Sequence, residues 1–251
     1  MMGKLHAGLC AGLIALSGNV AAQDNWSYSG TNGPDNWHSL SSANAVCRSG
    51  RQQSPIDIEG TEPVIMHRLV TNYTVAPVNL RNDRLAINMP YTDGSFLNVG
   101  GKVFQLRGFT FRTPAEHAIS GKRHPMSIQF FHEDLHGQKA IIEVLVKEGK
   151  ANLAAQELWE LMPLEPDQVV KNPKTLVNAR DLMPTDKSYY RYMGSLTTPP
   201  CSEGVNWYIL KQPLELSKEQ ISLVQGILGG NTARPLQNRN NRIILDARPQ
   251  Q

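Results

Sequence analysis

The chain has 251 residues, of which 40% are hydrophobic and 19% charged. That suits one large globular domain or two small ones. The formal charge of +3 is too balanced to argue for nucleic acid as a partner.

In chain order, residues 1–22 read as a secretory signal. Lys4 supplies the positive start and residues 7–16 the short apolar run. Val20, Ala21 and Ala22 are the small residues expected before cleavage at Gln23. The run is too short to span a bilayer, and no later segment is long enough. An exported protein, periplasmic or secreted, with no transmembrane span is therefore expected. A lipid anchor at Cys10 fits poorly, because bulky Leu9 precedes it. Export leaves Cys47 and Cys201, which an oxidising compartment should pair. Two buried thiols are the alternative.

Strand-like runs follow at 85–89, 96–99, 103–106, 127–131, 140–146 and 205–210. The 20 glycines and 16 prolines are spread along the chain, which suits short strands joined by turns. Two helices are predicted. Asn152 opens one through Leu161, stopped by Pro163. Ser217 opens the other, with Gln220 three residues on as a capping box. Its apolar Ile221, Val224, Ile227 and Leu228 share one face, and Gly229-Gly230 ends it. The predicted class is a β-dominated α+β single domain with peripheral helices.

His132-Glu133-Asp134-Leu135-His136 has the letters of a zinc-protease helix. It follows a strand and runs into Gly137, so it reads as a strand end and turn. Residues i and i+4 of a strand lie roughly 13 Å apart, too far to share one ion. His38, His67, His117 and His124 show no ligand spacing, and no nucleophile elbow or phosphate loop is present.

Five strings carry a resemblance, in order. They are 26–37 with its two tryptophans, Gln53-Ser54-Pro55-Ile56-Asp57-Ile58, Gly108 to His117, Gly194 to Trp207, and Asn231 to Gln237 followed by Arg242. Together they are similar to the α-carbonic anhydrase family over nearly all of residues 23–251. The resemblance implies a central, mostly antiparallel twisted sheet with an active-site cone. It also places the two cysteines where bacterial members carry their disulfide. The family's chemistry uses a zinc held by three histidines, whose bound water becomes hydroxide near neutral pH and attacks carbon dioxide. Two of those ligands form His-x-His on one strand, where i and i+2 face the same way.

Thr110, Arg112 and Gln129 stand at the three ligand positions that the resemblance implies. A hydroxyl and an amide are poor zinc ligands, and a guanidinium repels a cation. No metal or other cofactor, zinc included, is therefore expected. Gly108 and Ser127 stand where the family carries the groups that orient its ligands. Phe131 matches a small valine of the carbon dioxide pocket and should fill it. The shuttle histidine aligns with Asp83.

Glu116 and Thr197 match the pair that orients the zinc hydroxide, and Leu196 and Trp207 match pocket walls. With Arg112, Phe131 and Thr198 they form the candidate anion or ligand pocket. The plainer reading is that they persist because they hold the sheet together, Arg112 forming a buried ion pair with Glu116. Arg107, Arg112, Lys122 and Arg123 flank the cone, either as a solvated rim or as an anion-binding mouth.

The expected function is that of an exported carbonic-anhydrase-like pseudoenzyme with a binding or structural role. Its partner stays open among an anionic ligand, a glycan and an envelope protein. The alternative is a carbonate dehydratase, or another hydrolase, with a relocated metal or a metal-free site built on Glu116 and Thr197.

Overall fold

In the computed structural model, which describes residues 26–249, the strand expected at 103–106 runs from Lys102 to Arg112. It lies near the middle of a 13-stranded sheet. Ile87–Pro90 and then Val75–Asn82 and Val169–Asn178 follow on one side. Met126–Glu133, Lys139–Glu148, Glu203–Leu210, Tyr189–Ser195, Leu245–Pro249 and Glu62–Met66 follow on the other. Most pairings are antiparallel, as expected. Lys139–Glu148 runs parallel to Glu203–Leu210, and Leu245–Pro249 runs parallel to Glu62–Met66, so the sheet is mixed. The signal reading of residues 1–22 lies outside the described residues.

The two faces of this sheet differ in chemistry. Phe109, Phe111, Ile128, Phe130, Ile142 and Val144 enter the larger core. Each fully buried side chain of this size contributes about 1.5–3 kcal/mol. Alternation along a strand then turns Thr110, Arg112 and Gln129 to the opposite face.

Against the apolar face packs the helix Lys218–Leu228, with Ile221, Val224 and Leu228 buried. Its capping box is complete: Ser217 Oγ accepts from the Gln220 amide, and Gln220 Oε1 accepts from Ser217 N at 3.1 Å. Gly229 ends it at φ 65°, a left-handed conformation that glycine adopts without a Cβ clash. The other predicted helix is shorter than expected, Gln156–Glu160. Asn152 stands outside it because its amide N–H donates to Gln220 Oε1 at 3.0 Å. Its own side chain accepts from Ala155 N at 3.3 Å. Among the described residues, no helix is long and apolar enough to cross a membrane.

Cys47 and Cys201 form the expected disulfide, with Cα atoms 5.0 Å apart. Around it pack Trp26, Tyr28 and Trp37. The three rings meet edge to face at centroid distances of 5.2–5.8 Å.

The His132–His136 string is a strand end and turn, as read. Asp134 Oδ1 accepts from the amides of His136 and Gln138, both at 2.8 Å. His132 is buried and points inward. Its Nε2 accepts from the Tyr73 hydroxyl at 2.7 Å, and its Nδ1–H donates to Ala140 O at 3.3 Å. Burial lowers its pKa from 6.5 to about 4, so the folded state holds it neutral. The unfolded chain binds that proton near pH 6.5 and the folded chain only near 4. Stability is therefore lost as pH falls from 6.5 towards 4. In His132→Gln this part of the acid sensitivity should vanish. Urea midpoints measured across that window should fall less steeply than in the wild type, and equal slopes would rule the assignment out.

Candidate functional site

Strand register brings the expected positions together. Gln129 lies opposite Thr110, and Ser127 lies opposite Arg112. All four side chains are buried. The Thr110 hydroxyl is already committed, donating to Ile87 O at 3.1 Å. Gln129 Nε2 and Thr197 Oγ1 both donate to Glu116 Oε2, each at 2.6 Å. Glu116 Oε1 accepts from the Arg234 amide at 3.4 Å. The Glu116–Thr197 contact expected from the sequence is thus formed, and Gln129 joins it.

Arg112 departs from expectation. Among the described residues no ion pair joins it to Glu116, whose carboxylate already has three donors. Instead Nη1 donates to the Tyr28 hydroxyl at 2.9 Å and to Leu85 O at 3.1 Å. Burial alone would lower its pKa. Tyr28, Glu116, Asp83 and Glu143 around it outweigh that and raise it, so the cation persists. The same burial pushes the Tyr28 phenol well up. Arg107, Lys122 and Arg123 do not join Arg112 in an anion-binding mouth. Arg107 stands between Asp93 and Glu133 at 3.8 and 3.6 Å. Arg123 donates to Arg234 O at 2.9 Å, and Lys122 is exposed.

Phe131, which the resemblance implied would fill the carbon dioxide pocket, is half-buried. With Ile141 and Leu196 it lines a cavity of about 200 Å³, rimmed by Arg107, Glu133 and Lys139. Trp207, expected as a wall, lies outside that lining. It is fully buried, donates from Nε1 to Ser195 O at 2.9 Å, and sets its ring 4.7 Å from that of His117. Thr198 is half-buried, and its carbonyl accepts from Cys201 N at 2.8 Å. It shapes the turn that presents Thr197.

Two further residues matter that sequence reasoning passed over. Glu143 lies opposite Gln129 on the 139–148 strand. One carboxylate oxygen contacts His117 Nδ1, and the other accepts from the Glu116 amide at 3.3 Å. Burial would raise its pKa, but His117, Ser127 and the Glu116 amide together hold it below the ordinary 4.5. From His117 Nε2 the chain continues to the Tyr192 hydroxyl at 2.6 Å and on to Ser54 Oγ at 2.7 Å. The available signal was a lone acid inside the apolar run 140–146. Tyr28 is the second, and nothing local in the sequence ties it to Arg112. Gly108 has a steric reason: an added Cβ would come within 2.6 Å of Met89 O, so the neighbouring strand leaves no room for a side chain.

Residues 32–248 match the family described as eukaryotic-type carbonic anhydrase. The chain belongs to that family. A carbonic anhydrase of Klebsiella pneumoniae is 34% identical over 240 residues, covering 94% of this chain and 97% of the relative. Among solved structures, the α-carbonic anhydrase of Thermovibrio ammonificans, in complex with the inhibitor sulfanilamide, superposes with a TM-score of 0.86 at 34% identity. It covers 89% of this chain and 100% of its own. Dioscorin complexed with ascorbate superposes with a TM-score of 0.80 at 29% identity, covering 88% and 97%.

Membership of the family corrects one expectation. Zinc is the cofactor of carbonic anhydrase chemistry, and relatives bearing that name cover almost the whole chain. The expectation of no cofactor does not stand. The three implied ligand positions nevertheless do not fit the ion. They offer a hydroxyl bonded to a backbone carbonyl, a guanidinium and an amide bonded to Glu116. Among the described residues no three His, Cys, Asp or Glu side chains gather as a metal cage. These side chains support no reaction step that runs through a metal.

Proposed function

We propose that this protein is an exported member of the family whose cone base binds a small anion instead of hydrating carbon dioxide. The observation that carries the reading is the buried Arg112 cation, which no carboxylate contacts among the described residues. Glu116, Asp83 and Glu143 hold the cation charged from a distance, and an incoming anion would give it the direct partner that it lacks. A small anion suits this enclosed group better than a glycan or an envelope protein would. The disulfide supports export. That the dioscorin structure holds ascorbate supports a binding role for the fold.

In a stopped-flow indicator assay with zinc supplied, the purified protein is expected to leave carbon dioxide hydration at the buffer's own rate. Hydration that sulfanilamide inhibits would overturn the reading.

The Glu116–Thr197 contact favours a second reading, carbon dioxide hydration itself, because that pair is intact. Under it, Thr197→Ala and Glu116→Ala should each lower the measured activity roughly ten- to hundredfold. Activity unchanged in both variants would exclude it.

A further inference from the structure

We propose that the anion is a 2-hydroxycarboxylate with a small apolar substituent, its carboxylate on Arg112, its hydroxyl on Gln129 and its substituent in the Phe131 cavity. The inference rests on the reading of the cone base as a binding site.

Three buried polar atoms at the centre of the sheet lack a partner. They are the Arg112 Nε donor, the Gln129 Oε1 acceptor and the Ser127 hydroxyl, which can donate or accept; the first two have one role each and so constrain a ligand. The orientation of the Gln129 amide is fixed by chemistry. Its nitrogen faces Glu116 Oε2, which can only accept, so the oxygen is the atom left free. Leaving either atom unbonded carries its full desolvation cost, larger for the charged one. The Thr110 hydroxyl cannot donate to Gln129 Oε1, because its proton is committed to Ile87 O.

A ligand that satisfies both atoms must accept at one end and donate at the other. A carboxylate accepts from Arg112 Nε, and a neighbouring hydroxyl donates to Gln129 Oε1. Gln129 and Arg112 are diagonal neighbours across paired strands, since Gln129 opposes Thr110 and Ser127 opposes Arg112. Their backbone positions lie about 7–8 Å apart, and a ligand between the two side chains would bridge them through adjacent functional groups.

The third element continues in the same direction. Phe131 is two residues beyond Gln129 on the same strand and shares its face. Along the strand the order is therefore cation, amide oxygen, apolar cavity. A ligand lying along it reads carboxylate, hydroxyl, substituent. The cavity of about 200 Å³ between Phe131, Ile141 and Leu196 accepts a branched or aromatic group. A second negative charge on the ligand would face Glu116, which favours a monoanion.

A buried water could bond the same two atoms, and a ligand series separates the cases. Isothermal titration of the full chain uses 2-hydroxy-4-methylpentanoate, 4-methylpentanoate, 2-hydroxy-4-methylpentanamide and glycolate. The first is expected to bind tightest. Loss of the hydroxyl or of the charge should weaken binding about tenfold or more, and glycolate should be weaker for want of a substituent. In Gln129→Met the preference for the hydroxyl should disappear, and Arg112→Lys should bind weakly, with circular dichroism checking that both variants fold. No heat from any compound, or affinity indifferent to the hydroxyl, overturns the proposal. If hydration is also absent, this inference fails alone. Sulfanilamide-sensitive hydration would instead remove the reading it rests on.

Discussion

Glu143→Ala is expected to destabilise the fold by about 3–5 kcal/mol, the range for removing one partner of a buried charged pair. The carboxylate serves His117 and the Glu116 amide, neither of which reaches solvent. Alanine leaves those groups unbonded inside a dry layer, where each carries its desolvation cost. Because Glu116 is anchored through its amide, the variant should also loosen the Glu116–Thr197 contact. The acid dependence follows with its sign. The folded pKa of Glu143 is depressed, so its contribution is present above pH 4.5 and is lost as pH falls through the lower folded value. Denaturant unfolding at pH 7 and at pH 4 checks both parts. A variant as stable as the wild type at pH 7 would show that the layer reorganises at no cost.

Removing the disulfide by Cys47→Ser with Cys201→Ser is expected to cost about 5 kcal/mol, the chain-entropy value for so long a loop. The bond joins residues separated by 154 positions. It also ties two parts of the site. Cys201 closes the turn that carries Thr197, and Cys47 packs beside Trp37, next to Tyr28, which receives Arg112. The loss should therefore appear at the site as well as in the midpoint. Thermal unfolding with and without a reductant measures it. A shift of under a degree would mean that the aromatic cluster and the Arg234 bonds to Cys47 O and Ser54 O hold this corner without the bridge.

Much of the fold was legible because its signals are local. The capping box at Ser217 and the glycine at 229 fix a helix whatever surrounds them. The Val169–Asn178 strand was not legible. It lies at the sheet edge with Val169 and Leu176 exposed, and its register shifts between Asn172 and Leu176, so no clean alternation marks it. The Asn152 helix was overcalled because propensity did not show that Gln220, remote in sequence, would claim the Asn152 amide.

At the site, the sequence by itself determined which side chains share one face. Strand alternation sends Thr110 and Arg112 together away from Phe109 and Phe111, and residue types set their chemistry. Only the tertiary structure decided their partners. Arg112 found Tyr28 rather than Glu116, because Gln129, Thr197 and the Arg234 amide had already occupied that carboxylate. Phe131 came to line a cavity with Ile141 and Leu196, and Glu143 reached across a strand to His117. Partner choice depends on which donors the fold places within reach of each acceptor. That competition is set by contacts between distant residues, and no local pattern encodes it.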